Sequence, residues 1–206
     1  MADAALTRAI AALSAGGVVV YPTETVYGLG VDGLSRAALE TLFALKGARR
    51  GTGVSLLVTG VSMAEELIER PLPDGARRLM QSFWPGPLTI VVPASAAVPR
   101  ALLGPAGGVG LRCSSDPLAA ALVAEFARPL TSTSANPTGR PPATSVGEAR
   151  AYFGDRVSVY LDGGRRNAAS ASTVVEFSAG KTYLRRSGEI GRERLESVVS
   201  LDCVES

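Results

Sequence analysis

The sequence predicts an α/β protein built on one open, mixed sheet with flanking helices. Segments with apolar residues at i, i+4 and i+7 alternate with short, continuous apolar runs, which is the pattern of helices packed on a buried sheet. Two adjacent strand patterns, at residues 172–177 and 182–185, predict a hairpin, so the sheet should contain antiparallel as well as parallel pairs. No low-complexity linker divides the 206 residues, and we expect a single domain over residues 1–206.

The helices follow from apolar spacing and from signals at their ends. The first runs to about Gly16, with Asp3 as its expected N-cap. The second begins after Ser35 and ends before Gly47, because serine caps helix N-termini and glycine often follows their C-termini. Further helices are expected over residues 61–70, 74–83, 116–126, 145–153 and 190–199.

Apolar runs predict the strands. Residues 18–21 and 88–92 are the clearest, because successive apolar and β-branched residues are typical of strands that are buried on both faces. Further strands are expected at residues 55–58, 109–112, 129–132, 157–161, 172–177 and 182–185. Residues 94–108 are rich in Ala, Pro and Gly, and they predict a surface loop with one helical turn.

The composition excludes several kinds of site. Without histidine, the chain cannot form a Ser–His–Asp or Cys–His catalytic arrangement, and it lacks the commonest zinc ligand. Cys113 and Cys203 have no CxxC or metal-ligand spacing, so we expect no metal held by the protein itself. With no evident signal peptide or membrane span, we expect a cytoplasmic protein. A net charge of +2 does not by itself indicate nucleic-acid binding.

A polar segment follows the first strand. Residues 22–30 contain Thr23, Glu24, Thr25 and two glycines directly after a buried run, where α/β sheets often place ligands. Hydroxyls can hold a polar substrate, and glycines permit close approach of the backbone. The alternative is a capped turn into a short helix, with Thr23 as N-cap.

A second polar segment follows residues 129–132. Ser132, Ser134 and Asn136 are expected to leave a strand and enter a Pro/Gly turn, where amides and hydroxyls can surround an anion. The alternative is an Asx or Ser/Thr turn. Arg112, at the end of another predicted strand, offers a guanidinium fork that matches carboxylate and phosphate.

A basic, glycine-rich segment follows the second helix. Lys46, Arg49 and Arg50 lie in or beside residues 47–53, and such a loop can close over a triphosphate. Cations at a helix C-terminus can also serve only the helix dipole. GxxxxGK[ST] spacing is absent, so ATP would bind outside the P-loop fold.

Six segments, in order, resemble the YrdC/TsaC family of threonylcarbamoyl-AMP synthases. They are GVVVYPTETVYGLG at 17–30, WPGPLT at 84–89, VGLR at 109–112, STSAN at 132–136, STVV at 172–175 and LRRSGEI at 184–190. Each is weak alone, but the ordered set is specific and extends over about residues 5–199.

The resemblance implies a twisted, open sheet with a concave basic face and an enzyme that condenses L-threonine, bicarbonate or CO2, and ATP. Threonylcarbamoyl-AMP and pyrophosphate would be the products, and a separate threonylcarbamoyl-transfer complex would use the former to modify adenosine 37 of tRNA. Mg²⁺ is expected on the ATP phosphates. The alternatives are a carbamoyl-adenylate-forming enzyme with another substrate and a non-catalytic protein that binds tRNA or other RNA on the basic face.

The resemblance also implies ligand roles, although it implies no catalytic residue. It assigns threonine to Thr25, Arg112, Ser132 and Ser172, and ATP to Lys46, Arg49, Ser134, Asn136 and Arg186. Arg112 would hold the carboxylate of threonine. Arg49 lies one place later than the arginine of the family's Lys-x-Arg pattern. Glu24 is available as a general base or as a residue that orders its loop.

Overall fold

A computed structural model describes residues 2–47, 53–167 and 171–202. The helices are α1 (Ala2–Ser14), α2 (Arg36–Lys46), α3 (Val61–Glu65), α4 (Asp74–Phe83), α5 (Pro117–Phe126), α6 (Val146–Phe153) and α7 (Arg192–Glu196). The strands are β1 (Val19–Pro22), β2 (Tyr27–Gly30), β3 (Ser55–Leu57), β4 (Leu88–Pro93), β5 (Gly108–Arg112), β6 (Leu130–Ser134), β7 (Val159–Tyr160), β8 (Thr173–Ser178) and β9 (Lys181–Arg186). Short 3₁₀ turns occur at Arg100–Leu102 and Gly154–Arg156.

The nine strands found in the described residues form one open sheet in the order β7-β1-β2-β6-β3-β5-β4-β8-β9. The pairs β1/β7, β3/β5 and β4/β8 are parallel, and the other neighbours are antiparallel. The predicted mixed sheet is therefore confirmed, as is the hairpin of β8 and β9, in which Phe177 lies opposite Thr182.

Helices cover both faces of the sheet. Val19 and Tyr21 of β1 pack with α1 and α5, whereas Val20 belongs to a second cluster that contains residues of α2, α4 and α6. All three side chains are fully buried. This double burial explains why the strand reads as a continuous apolar run instead of an alternating one. None of the helices in the described part of the chain is long and apolar enough to cross a bilayer.

Two helices have ends that border the polar sites described below. Ser35 Oγ accepts from the Ala38 amide at 3.3 Å, and Gly47, with φ of 61°, terminates α2 as predicted. Asp116 Oδ1 accepts from the amides of Leu118 and Ala119 at 2.9 and 3.1 Å, which caps α5. The end of α2 at Gly47 positions Lys46, and the start of α5 positions Asp116.

Three helix predictions were wrong at their boundaries. α1 already includes Asp3, so that residue is not its N-cap. α3 ends at Glu65 because the following chain pairs with the end of β4, where the Glu69 amide donates to the Pro93 carbonyl at 2.9 Å. α7 begins only at Arg192 because the Ile190 amide and carbonyl both bond the hydroxyl of Thr173.

The largest difference from the prediction is β2, since residues 22–30 were expected to form one polar loop. Gly28, Gly30 and Gly33 have GxGxxG spacing, but the first two lie in this antiparallel strand. A Cβ would lie 3.0 Å from the Tyr21 ring at Gly28 and 2.8 Å from it at Gly30, so both glycines make room for that ring. β6 also extends through Ser134, two residues beyond the predicted end of that strand at Ser132, so Ser134 is a strand residue instead of a loop residue.

Candidate functional site

A cavity of about 540 Å³ opens where the ends of several strands meet. We call it the strand-end cavity. Its lining consists of Thr23, Thr25, Val26, Tyr27, Gly28, Gly53, Val54, Ser55, Thr89, Arg112, Ser132, Thr133, Ser134, Pro141, Pro142, Thr144, Ala171, Ser172 and Arg186. Hydroxyl groups and two guanidiniums dominate its polar atoms, a set suited to anionic and hydroxylated ligands.

The loop between β1 and β2 forms one wall. Thr23 Oγ1 donates to the Val26 carbonyl at 2.7 Å and accepts from the amides of Thr25 and Val26, both at 3.3 Å. Thr23 therefore closes a tight turn between two antiparallel strands, and its alternative role as the N-cap of a short helix was wrong. This turn directs the Thr25 hydroxyl, which is 3.1 Å from that of Thr23, toward Arg112.

Arg112 ends β5 and lies against the first loop. Its Nη2 donates to Thr25 Oγ1 at 3.2 Å and lies 2.9 Å from Glu24 Oε1, although the latter contact is an ion pair without the alignment of a hydrogen bond. Its Nε is buried and has no hydrogen-bond partner among the residues that the structure describes. Arg112 is only 6% exposed, so this unpartnered N–H is a costly donor that a bound carboxylate could satisfy.

Ser172 connects the opposite wall. Its hydroxyl lies 3.1 Å from that of Thr89 and accepts from Arg186 Nη2 at 2.9 Å, while Arg186 Nε donates to the Ser172 carbonyl at 2.9 Å. Burial, followed by the charge of Arg112, lowers the pKa of Arg186. The guanidiniums of Arg112 and Arg186 therefore repel each other across the cavity that both line, and a bound anion between them would relieve that repulsion.

Lys46 and Asn136 lie behind the cavity wall instead of lining it. Lys46 Nζ donates to the carbonyls of Ser134 and Asn136 at 2.7 and 3.0 Å, and its own carbonyl accepts from the Thr138 amide at 2.9 Å. Asn136 Nδ2 donates to the Arg140 carbonyl at 2.6 Å, whereas its buried Oδ1 accepts no hydrogen bond from the described part of the chain. Lys46 thus fastens the segment after β6 to the end of α2, and burial lowers its pKa to about 8.

The structure brings together most of the predicted ligand residues. Six line the strand-end cavity: Thr25, Arg112, Ser132, Ser134, Ser172 and Arg186. Lys46 and Asn136 shape the backbone beside it, and Arg49 lies outside the described residues.

Sequence reasoning missed several polar residues around the site. Thr89 is buried in β4, and its place as the polar residue within the apolar run 88–92 could have marked it. Ser114, Asp116 and Arg166 form a polar network that reaches Glu24. Ser114 Oγ donates to Glu24 Oε2 and accepts from the Asp116 amide, and Asp116 Oδ2 lies 3.0 Å from Arg166 Nη2. No local motif joins these residues, because 50 positions of chain separate Asp116 from Arg166.

Comparisons with known proteins point to one family. The Sua5/YciO/YrdC family model, described as "Telomere recombination", matches residues 11–188. A threonylcarbamoyl-AMP synthase of Halorhodospira halophila is 41% identical over 179 residues, which are 87% of this chain and 93% of that protein.

Two solved structures are similar along most of this chain. Pyrococcus abyssi Sua5 complexed with L-threonine has a TM-score of 0.89 and 32% identity, covering 94% of this chain and 57% of that chain. Escherichia coli YciO has a TM-score of 0.82 and 26% identity, covering 92% of both chains.

Proposed function

Because the chain belongs to the Sua5/YciO/YrdC family, we propose that it is a threonylcarbamoyl-AMP synthase. It condenses L-threonine, bicarbonate or CO2, and ATP into threonylcarbamoyl-AMP and pyrophosphate. The observation that carries this proposal is the strand-end cavity, in which six of the residues expected to bind threonine or ATP meet.

Threonine occupies the part of the cavity around Arg112. The guanidinium holds its carboxylate, and the buried Nε gains the acceptor that it lacks. The hydroxyls of Thr25, Ser132 and Ser172 surround the remaining polar atoms of the amino acid. The hydrogen bonds of Thr25 with Thr23 and of Ser172 with Thr89 support this placement, because they restrict how these side chains rotate.

ATP occupies the part of the cavity near Arg186 and Ser134. Arg186 faces the negative charge of the nucleotide, while Lys46 and Asn136 hold the backbone that follows Ser134. Mg²⁺ enters with ATP and is held mainly by phosphates and water, since the described residues contain no cluster of His, Cys, Asp or Glu able to hold a metal ion. Such an ion would offset phosphate charge.

The chemistry requires positioning more than it requires a covalent catalyst. The amine nitrogen of threonine attacks the carbon of CO2 and loses a proton, which gives a carbamate. A carbamate oxygen then attacks the α-phosphorus, and the bond to pyrophosphate breaks. Arg112 and Arg186 fix the two substrates and stabilise the anions on either side of the reacting atoms.

The downstream partners follow from the product. Threonylcarbamoyl-AMP is a mixed anhydride, so we propose that it passes to a separate transfer complex that acts on adenosine 37 of tRNA, in the cytoplasm. Direct contact of this chain with RNA stays a prediction. Salt-dependent tRNA binding without pyrophosphate release would instead support the non-catalytic RNA-binding alternative.

The deciding experiment supplies ATP, labelled bicarbonate and L-threonine, and it measures pyrophosphate together with labelled threonylcarbamoyl-AMP. The proposal expects both products, and each should depend on all three substrates. Turnover with another amine and none with threonine would replace it with the related carbamoyl-adenylate enzyme.

A further inference from the structure

Glu24 does not belong to the lining of the strand-end cavity, although it lies between Thr23 and Thr25, which do. Its side chain is 17% exposed and contacts Arg112 and Ser114. There, Oε1 lies 2.9 Å from Arg112 Nη2, and Oε2 accepts from the hydroxyl of Ser114. Oε2 is therefore hydrogen-bonded to Ser114, and Oε1 is ion-paired with Arg112 without accepting a hydrogen bond among the described residues.

The contacts behind Glu24 lead to a rigid element. Ser114 Oγ accepts from the Asp116 amide at 3.2 Å, and Asp116 caps α5 through its Oδ1. The other oxygen of Asp116 pairs with Arg166, which also donates to the Gly163 carbonyl at 2.9 Å. Asp116 is only 5% exposed, so this chain of contacts anchors Glu24 to the start of a helix.

Two side chains of the first loop hold Arg112. Glu24 supplies the counter-charge and Thr25 supplies a hydroxyl, and both contacts fall on Nη2. This arrangement restricts rotation of the guanidinium, while Nε has no hydrogen-bond partner within the described ranges. Arg186 adds repulsion from the other side of the cavity, as the effect of Arg112 on its pKa indicates. The Glu24 carboxylate offsets that repulsion.

We propose that Glu24 is a positioning residue that orients Arg112 for the carboxylate of the amino-acid substrate, and that it is not the general base. The inference rests on the proposed function for the identity of the substrate. An oxygen already shared with Ser114 or Arg112 is poorly placed to take a proton from an amine inside the cavity, since a general base must reach that proton directly or through one water.

The test compares Glu24→Gln, Ser114→Ala and the exposed control Glu66→Gln in pyrophosphate release, with threonine and ATP varied separately. Glu24→Gln should raise the KM for threonine about 10-fold to 100-fold, as misplacement of a binding group does, while the KM for ATP and kcat at saturating threonine change less than about threefold. Ser114→Ala should act in the same direction but more weakly. Glu66→Gln should match the wild type.

The opposite result identifies a catalytic role. A loss in kcat of about 100-fold or more at saturating threonine, with an unchanged threonine KM, would overturn the proposal in favour of a general base. Unchanged kinetics in Glu24→Gln would overturn it as well. If Glu24→Gln does not fold, Ser114→Ala decides, because a threonine KM equal to that of the wild type shows that the support behind Arg112 is dispensable.

Failure of the proposed function is visible in the wild type alone. If the wild type turns over only with another amino acid, the same comparison of KM values with that substrate tests Glu24, because Arg112 would still hold a carboxylate. If the wild type does not turn over, isothermal titration of the same variants with threonine provides the comparison, and equal affinities in wild type and Glu24→Gln overturn the proposal.

Discussion

Replacing Arg112 with alanine tests the core of the proposed threonine site. The change removes the donor expected to hold the substrate carboxylate and leaves Glu24, which is 17% exposed, without its ion-pair partner. Truncating one partner of a desolvated charge pair, here Arg112 and the substrate carboxylate, costs about 2–5 kcal/mol. If that cost falls on the transition state, kcat/KM for threonine drops about 30-fold to 4,000-fold, since 1.4 kcal/mol corresponds to about tenfold.

The assay is pyrophosphate release at varied threonine with saturating ATP. Arg112→Lys keeps the charge but not the planar fork, so it should recover only part of the loss. Arg100→Ala, at an exposed site on a 3₁₀ turn, is the matched control and should behave as the wild type. The double variant Arg112→Ala/Glu24→Gln removes the unpaired carboxylate and should recover thermal stability without recovering threonine affinity. An unchanged threonine dependence in Arg112→Ala would refute the assignment of the carboxylate.

Three further predictions concern parts of the fold around the site. Burial lowers the pKa of Lys46 from 10.5 to about 8, so between these pH values the folded chain binds fewer protons at Lys46 than the unfolded chain does. The unfolding free energy of the wild type, relative to that of Lys46→Met, should therefore rise between pH 8 and 10.5 by at most about 3 kcal/mol. Urea titrations at several pH values measure this, and a difference that falls with pH would contradict it. Gly188→Ala should lower activity and the melting temperature together, because the added Cβ would lie 2.3 Å from the carbonyl oxygen of Ala171, beside Ser172. Wild-type activity and a wild-type melting temperature would show that this segment can shift without cost. Ala127→Gly, at the left-handed C-cap of α5 (φ 55°), should raise the unfolding free energy by about 0.5–1 kcal/mol in urea titrations, and a decrease would show that chain entropy outweighs the strain.

The apolar strands and the capped ends of α2 could be predicted because they depend on local chemistry. Ser35 and Gly47 mark the ends of α2 by capping alone, and the apolar runs identify β4 and β5. β2 could not be predicted in the same way. Its four residues include two glycines, which are poor strand formers, and they are held in place by pairing with β1 and β6.

The site was predictable only as far as its residues lie in short polar motifs or match the family pattern. Thr25 and Ser134 stand out beside apolar runs, so their place near a ligand could be expected. The chain of contacts from Glu24 through Ser114 to Asp116 could not, because it depends on how the first loop packs against the end of β5. The position of Lys46 behind the wall likewise depends on the direction of one side chain, which spacing does not determine.

Tyr21 crosses three strands of the sheet. Its ring lies over Gly28 and Gly30 of β2, and its hydroxyl donates to the Thr131 carbonyl of β6 at 2.9 Å. The side chain of Tyr21 therefore ties β1, which leads into Thr25, to β6, which carries Ser132, in addition to the backbone ladders that set the strand spacing. A buried side chain outside the cavity lining thus restrains two strands that carry lining residues, so the precision of the site depends on packing within the sheet as well as on the residues that face a ligand.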